Sequence, residues 1–283
     1  MTFAGPRASP STIAVLDWGI GGIATLIQLR AALPDAALVY RSDAGFTPYG
    51  KVPADALAAR ITSVALDLDR RFGLAALVLA CNAASTISKD LVLPFPVFDT
   101  IAPGIALALE AQTRGALHIG IIGGQRTIAA AIHARALQRA GLNVTAVSAQ
   151  PLSAHVEAGR LDGPELLADL TPVLTALGDI DALLLACTHY PALTPVITRL
   201  RPRLPLLDPA AALVARVHAH LTASAPAHLT ASAPTHLTVS ASANPPGPTL
   251  WVETSGDPIA TASNARAAFG VELAQVHSAA SLA

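Results

Sequence analysis

At 283 residues, 52% of them hydrophobic and 13% charged, the chain is long enough for two packed units with ample apolar material to fill both. A net charge of −1 excludes the strong positive field that nucleic acid or an anionic membrane surface would need. No apolar run reaches the roughly 18 residues of a membrane-spanning helix. Residues 1–10 carry one arginine and no hydrophobic stretch, and read as a short flexible leader rather than a secretion signal. The expected location is cytoplasmic.

In chain order, short apolar runs suited to strands fall at 12–16, 37–41, 75–80, 97–98, 118–122, 143–147, 182–186 and 204–207. Helical patterns at 23–32, 54–71, 128–140 and 164–177 lie between them. The alternation predicts an α/β fold with two doubly wound, mostly parallel sheets and a cleft between them. The expected crossing to the second unit lies near 99–104 and the return near 207–209. The first unit is therefore 11–100 plus 208–283, and the second 101–207. After the return, an eight-residue unit beginning His-Leu-Thr recurs nearly three times from His220 and ends in Asn244-Pro245-Pro246-Gly247-Pro248. Its small, proline-broken composition buries too little to offset ordering, so 220–248 is expected to be a disordered insertion. Histidines spaced eight apart are poorly placed for a metal, and no metal site is expected. A strand at 249–254 and an amphipathic stretch at 259–269 close the chain.

The only two cysteines occupy matching places. Cys81 ends the run at 74–80 and leads into Asn82-Ala83-Ala84-Ser85; Cys187 ends the run at 181–186 and leads into Thr188-His189-Tyr190-Pro191. A buried strand ending in Cys delivers a thiol to the carboxyl edge of a sheet, where open α/β folds bind ligands. A free cysteine alone is most often a small buried hydrophobe, and a disulfide does not fit a reducing compartment. Two thiols at matching strand ends, each followed by hydrogen-bonding residues, favour chemistry that needs an acid on one face of a carbon and a base on the other.

Two further segments join them: Asp17-Trp18-Gly19-Ile20-Gly21-Gly22 after the first strand, and Pro48-Tyr49-Gly50 after the second. In this order the four segments resemble the glutamate racemases of the cofactor-independent aspartate/glutamate racemase superfamily. The resemblance runs from about residue 13 to 208 and resumes at Glu253-Thr254-Ser255-Gly256-Asp257. It implies a two-thiol mechanism without pyridoxal phosphate or metal, a small amino-acid substrate, and supply of D-glutamate for peptidoglycan. It implies that Asp17 serves Cys81, while His189 and Glu157 serve Cys187. Asp17-Trp18, Tyr49-Gly50, Asn82-Ala83 and Thr188-His189 would hold the substrate. Plainer roles stand beside these: Asp17 as a helix cap, His189 as a structural residue and Glu157 as a solvated one. Backbone N–H groups of the Gly19–Gly22 turn are expected to suit a carboxylate. The reading leaves room for a homodimer.

The chain departs from that family at Trp18, where serine is usual, and at Ala83 and Gly124, where threonine is usual; Gln125-Arg126 follows as an unusual pair. The lost hydroxyls and the added indole open two other readings. One is a racemase of the same superfamily for another amino acid or related acid. The other is a non-catalytic binding protein that kept the fold, against which the two retained thiols speak.

Overall fold

The computed structural model describes residues 12–224 and 250–279. Its strands form two wholly parallel sheets. The first has six strands in the order β10-β9-β2-β1-β3-β4, with β1 Thr12–Asp17, β2 Leu38–Ser42, β3 Leu74–Leu79, β4 Val97–Asp99, β9 Leu250–Thr254 and β10 His277–Ser278. The second has four, ordered β6-β5-β7-β8, with β5 His118–Gly123, β6 Asn143–Ser148, β7 Ala182–Ala186 and β8 Leu206–Leu207. Central strands β1 and β7 are buried throughout, which is why they read as unbroken apolar runs rather than alternating ones. The expected α/β class with two mostly parallel sheets is what the chain adopts.

Strand order decides where a site can form. In the first sheet the chain leaves β1 for β2 on one side and returns to β3 on the other; in the second it leaves β5 for β6 and returns to β7. Each reversal opens a crevice beyond the strand ends. Asp17 ends β1 beside the crevice from which Cys81 emerges, two residues past β3, and Cys187 follows β7 directly.

Helices cover both faces of each sheet. Helix α1 (Ile23–Ala32) follows β1, and α2 (Ala54–Phe72) buries Leu57, Ile61, Val64, Leu68 and Phe72 along one stripe of helical spacing. It stops at Gly73, whose φ of 64° no other residue adopts cheaply and whose N–H caps Asp69 O. The short α3 (Asn82–Ser85) begins at Cys81, and α4 (Ile101–Thr113) leads into the second sheet. Residues expected to form one helix at 128–140 form two, α5 (Gln125–Ala130) and α6 (Ile132–Arg139). Ala131 separates them in the left-handed region at φ 50°, a conformation that composition gives no hint of. Next come α7 (Gln150–Glu157), α8 (Pro164–Leu177), α9 (Thr194–Leu200), α10 (Ala210–Ser224) and α11 (Pro258–Phe269). Asp257 caps α11, its Oδ1 accepting from the N–H of Ile259 at 2.8 Å. One apolar core runs through both units, joining Ile13 and Val15 of β1 to Leu183 and Leu185 of β7 by way of Leu152, Leu170 and Leu213.

The repeat array departs from expectation at its start. Helix α10 continues to Ser224, and the ring of His220 packs edge-on against Phe98 at 5.3 Å between centroids. Positions 210–224 contain no proline or glycine, so nothing in that stretch breaks a helix. The rest of the expected insertion, 225–248, lies outside the described residues, as does residue 249 of the strand expected at 249–254. No helix among the described residues is long and apolar enough to cross a membrane.

At the carboxyl ends of β2 and β9 lies a buried cluster of charges that the sequence reading did not foresee. Arg41 and Glu253 sit opposite each other in register and pair at 2.8 Å, both with fully buried side chains. Asp43 accepts both Nε (3.0 Å) and Nη2 (2.7 Å) of Arg60, and also the Tyr49 hydroxyl at 2.8 Å.

Candidate active site

The loops beyond the two crevices enclose a cleft of about 650 Å³. From the first sheet's side come Trp18, Tyr49, Gly50, Cys81, Asn82 and Ala83; from the second come Glu157, Cys187, Thr188 and His189. Asp17 stands just behind this wall, fully buried. The structure thus brings together all eleven residues singled out from the sequence, though not all in the roles expected.

The two walls meet at Gly19–Gly22. A Cβ on Gly19 would fall 1.8 Å from Glu157 Oε1, and one on Gly21 would fall 2.4 Å from Thr188 Oγ1, so only glycine lets the second unit approach this closely. The turn's N–H groups do meet carboxylates, but the protein's own: Ile20 N–H donates to Glu157 Oε1 at 2.9 Å and Gly22 N–H to Asp17 Oδ2 at 2.6 Å. Of the N–H groups expected to suit a substrate carboxylate, those two are already taken. Asp17 does act on the start of α1, as the plainer reading held, yet its other oxygen, Oδ1, is buried without a partner. Thr188 Oγ1 also donates to Asp17 Oδ2, at 3.2 Å, across the two units.

Glu157 is neither solvated nor isolated. Its Oε1 lies 2.6 Å from His189 Nε2, and His189 Nδ1 lies 3.6 Å from Cys187 Sγ. Burial alone would lower the proton affinity of His189, but the Cys187 sulfur and the Glu157 carboxylate outweigh it and hold the ring's pKa well above its usual value. Glu157 moves the other way: burial works against its charge, while the hydrogen bond and charge of His189, with the Ile20 N–H, bring its pKa below the ordinary carboxylate value. On the opposite wall, burial and then the Asp17 charge push the Cys81 thiol well up, partly countered by the Ala84 and Ala83 N–H groups of α3. The cleft therefore presents a held proton on each side, one on a thiol and one on an imidazolium next to a thiol.

The His189–Glu157 pair sets a pH window. Its stabilisation is complete between the unfolded values, roughly pH 4.3 and 6.5. It is lost as pH falls through the depressed pKa of Glu157, and again as pH rises through the elevated pKa of His189. Replacing Glu157 by Gln removes the carboxylate partner of the ring, so His189 should lose its proton at a lower pH. An NMR titration of the ring carbons measures this, and an unchanged midpoint would mean that Cys187 alone fixes the imidazolium.

Two expected substrate residues are committed elsewhere. The Tyr49 hydroxyl donates to Asp43, inside the buried charge cluster, so this residue offers the cleft no free hydroxyl. Trp18 lines the cleft but is tethered by its indole N–H to Phe46 O at 2.9 Å, and like Cys81 and Ala83 it packs against the first sheet's core. Asn82 is buried with Oδ1 unpartnered. Sequence reasoning missed Lys51, Gln150 and Asn264, which also line the cleft. Lys51 directly follows the Pro48-Tyr49-Gly50 turn and could have been found there; Asn264 arrives on α11 with no local signal.

A fold with two crevices facing one cleft, and a cysteine at each, is that of the two-unit α/β racemases. The family model described as Asp/Glu/Hydantoin racemase matches residues 22–217. The chain is 33% identical over 211 residues to a glutamate racemase of Desulforudis audaxviator, covering 72% of this chain and 76% of that one. Among solved structures, a glutamate racemase from Thermus thermophilus in complex with beta-chloro-D-alanine is 30% identical, with a TM-score of 0.77 over 96% of this chain and 98% of that one. A glutamate racemase from Francisella tularensis in complex with D-glutamate shares the fold, with a TM-score of 0.80 at 22% identity over 96% of this chain and 98% of that one. The chain belongs to the Asp/Glu/hydantoin racemase family, and with it to the isomerases that act on amino acids.

Proposed function

We propose that the chain interconverts L- and D-glutamate by a two-thiol mechanism at the α-carbon, without pyridoxal phosphate or metal, and so supplies D-glutamate for peptidoglycan. The observation that carries this is the convergence of Cys81 and Cys187 on one cleft from two different sheets, each beside its own proton-handling group. A thiolate on one face removes the α-proton, leaving a carbanion; the thiol on the other face donates its proton and becomes the thiolate. The product has the opposite hand, and the next turnover runs in reverse. His189, held protonated between Cys187 and Glu157, keeps a proton available on one side, and the Asp17 charge helps keep the Cys81 thiol protonated on the other. Burial keeps the Cys81 thiol protonated and so able to deliver a proton. The test is incubation of the chain with single L-amino acids in deuterated water, without pyridoxal phosphate. Deuterium at the α-carbon together with the D-enantiomer, fastest for glutamate, is the expected result; no exchange with any amino acid would end the racemase reading.

A second reading, another amino acid as substrate, is favoured by Trp18. The indole occupies cleft wall where the family has a serine hydroxyl, and Ala83, in the same lining, stands where the family has a threonine. A hydrogen bond to a charged group is worth about 1.5–3 kcal/mol, or roughly ten- to hundredfold in rate. Trp18→Ser combined with Ala83→Thr should therefore raise kcat/KM on glutamate by about that factor if the losses matter. Unaltered or reduced activity on glutamate would show that the native indole is compatible with glutamate.

A further inference from the structure

Arg126, like Lys51, is a charged residue of the cleft that neither the mechanism nor the family pattern uses, and unlike Lys51 it bridges the two units. It stands on α5, in the second unit, and reaches across to the first. Its Nε donates to Thr86 Oγ1 at 2.9 Å and its Nη1 to the carbonyl of Val52 at 2.5 Å. Both partners are neutral, and Arg126 makes no ion pair among the described residues. The remaining terminal nitrogen, Nη2, has no partner there either. A partly buried guanidinium that lines a cleft and makes no ion pair of its own is an arrangement suited to an anionic ligand, because its planar fork matches a carboxylate.

Its position selects which carboxylate. Thr86, the acceptor for Nε, donates in turn to Ala83 O at 2.7 Å, so the guanidinium is fastened to the helical turn that begins at Cys81. Burial lowers the proton affinity of Arg126, and the charge acting in the opposite sense is that of Cys81. The carbon from which Cys81 takes a proton carries one carboxylate, a single bond away. Ala83 and Gly124, the two places where a threonine hydroxyl is missing, both line the same cleft as Arg126.

We propose that the free Nη2 edge of Arg126 binds the carboxylate attached to the reacting carbon, in place of the hydroxyls absent at Ala83 and Gly124. The inference rests on the racemase reading. It also gives that carboxylate a catalytic use. Charge left on the α-carbon after proton removal spreads into the carboxylate, where a fixed guanidinium stabilises it better than water does.

Calorimetry on the full chain tests this with three ligands: D-glutamate, its α-amide D-isoglutamine, and its side-chain amide D-glutamine. Wild type should prefer D-glutamate over the α-amide. Arg126→Gln should weaken D-glutamate about ten- to hundredfold, leave the α-amide nearly unchanged, and lower kcat as well. Arg126→Lys, which keeps the charge but not the fork, should recover part of the loss. Equal weakening of all three ligands in Arg126→Gln, or no weakening at all, would make Arg126 only a latch onto Val52 and Thr86 and overturn the proposal. So would a collapse of discrimination against D-glutamine instead, which would place the side-chain carboxylate on Arg126. If another amino acid exchanges faster than glutamate, that acid and its α-amide replace this pair. If wild type exchanges the α-proton of no amino acid, the racemase reading falls with this proposal, and does so before any variant is made.

Discussion

Cys81→Ala and Cys187→Ala should each abolish racemisation while leaving the fold intact. Neither thiol holds the structure: both cysteines are free and partly exposed, and neither is in a disulfide. Inversion needs a proton removed on one face and another delivered on the opposite face, so a site with one thiol completes half of the reaction. A single positioned acid or base contributes about 10² to 10⁴ in rate, and racemisation should fall by at least that much in either variant. The halves should remain distinguishable. A variant with one thiol can take the α-proton from one enantiomer and return solvent deuterium to the same face, giving exchange without inversion. Which enantiomer exchanges in Cys81→Ala, and which in Cys187→Ala, assigns each thiol to a face. Full racemase activity in either variant would rule out the two-thiol mechanism.

What the sequence made legible was local. A strand of small and aliphatic residues ending in Cys predicts both its burial and its exit at the carboxyl edge, because β1, β3 and β7 are covered on both faces and need no alternation. The two crevices followed from the alternation of strand and helix. What stayed hidden depends on residues far apart in the chain. The N–H of Ile20 looked available to a ligand because nothing nearby competes for it; its acceptor, Glu157, is 137 positions away. Tyr49 looked like a substrate contact because it sits in a cleft motif, yet its hydroxyl turns to Asp43. The break at Ala131 had no proline or glycine to announce it. Arg126 stood out only as unusual, and its meaning came from reaching Thr86 and Val52 on the other unit.

The largest loss of stability is expected from Glu253→Leu. Glu253 lies on β9, the strand by which the chain rejoins the first sheet after the repeat array, and it gathers donors from three residues. Arg41 Nη1 and Arg71 Nη1 approach at 2.8 and 2.9 Å, the Trp251 indole N–H at 2.9 Å, and Arg71 Nη2 closes on the second oxygen. These partners hold its pKa below the usual value although burial opposes the charge. The stabilisation is therefore present above roughly pH 4.3 and is lost as pH falls through the depressed pKa. Arg71 is partly exposed and can turn to water, but Arg41 is fully buried, with Nε and Nη2 already lacking hydrogen-bond partners. Removing Glu253 leaves that guanidinium with only Asp43, 3.6 Å away and already engaged by Arg60. Breaking such a pair costs about 3–5 kcal/mol, on the order of ten degrees in thermal midpoint for a chain of this size. Pairing Glu253→Leu with Arg41→Met removes both charges, and an apolar replacement of a whole buried pair is often neutral. The double variant should therefore regain most of the loss, with Arg60 still neutralising Asp43. If the single variant melts within a degree or two of wild type, water reaches Arg41 and the pair is not sealed. If the double variant melts no higher than the single one, the cluster acts as one unit and Arg41 cannot be removed from it.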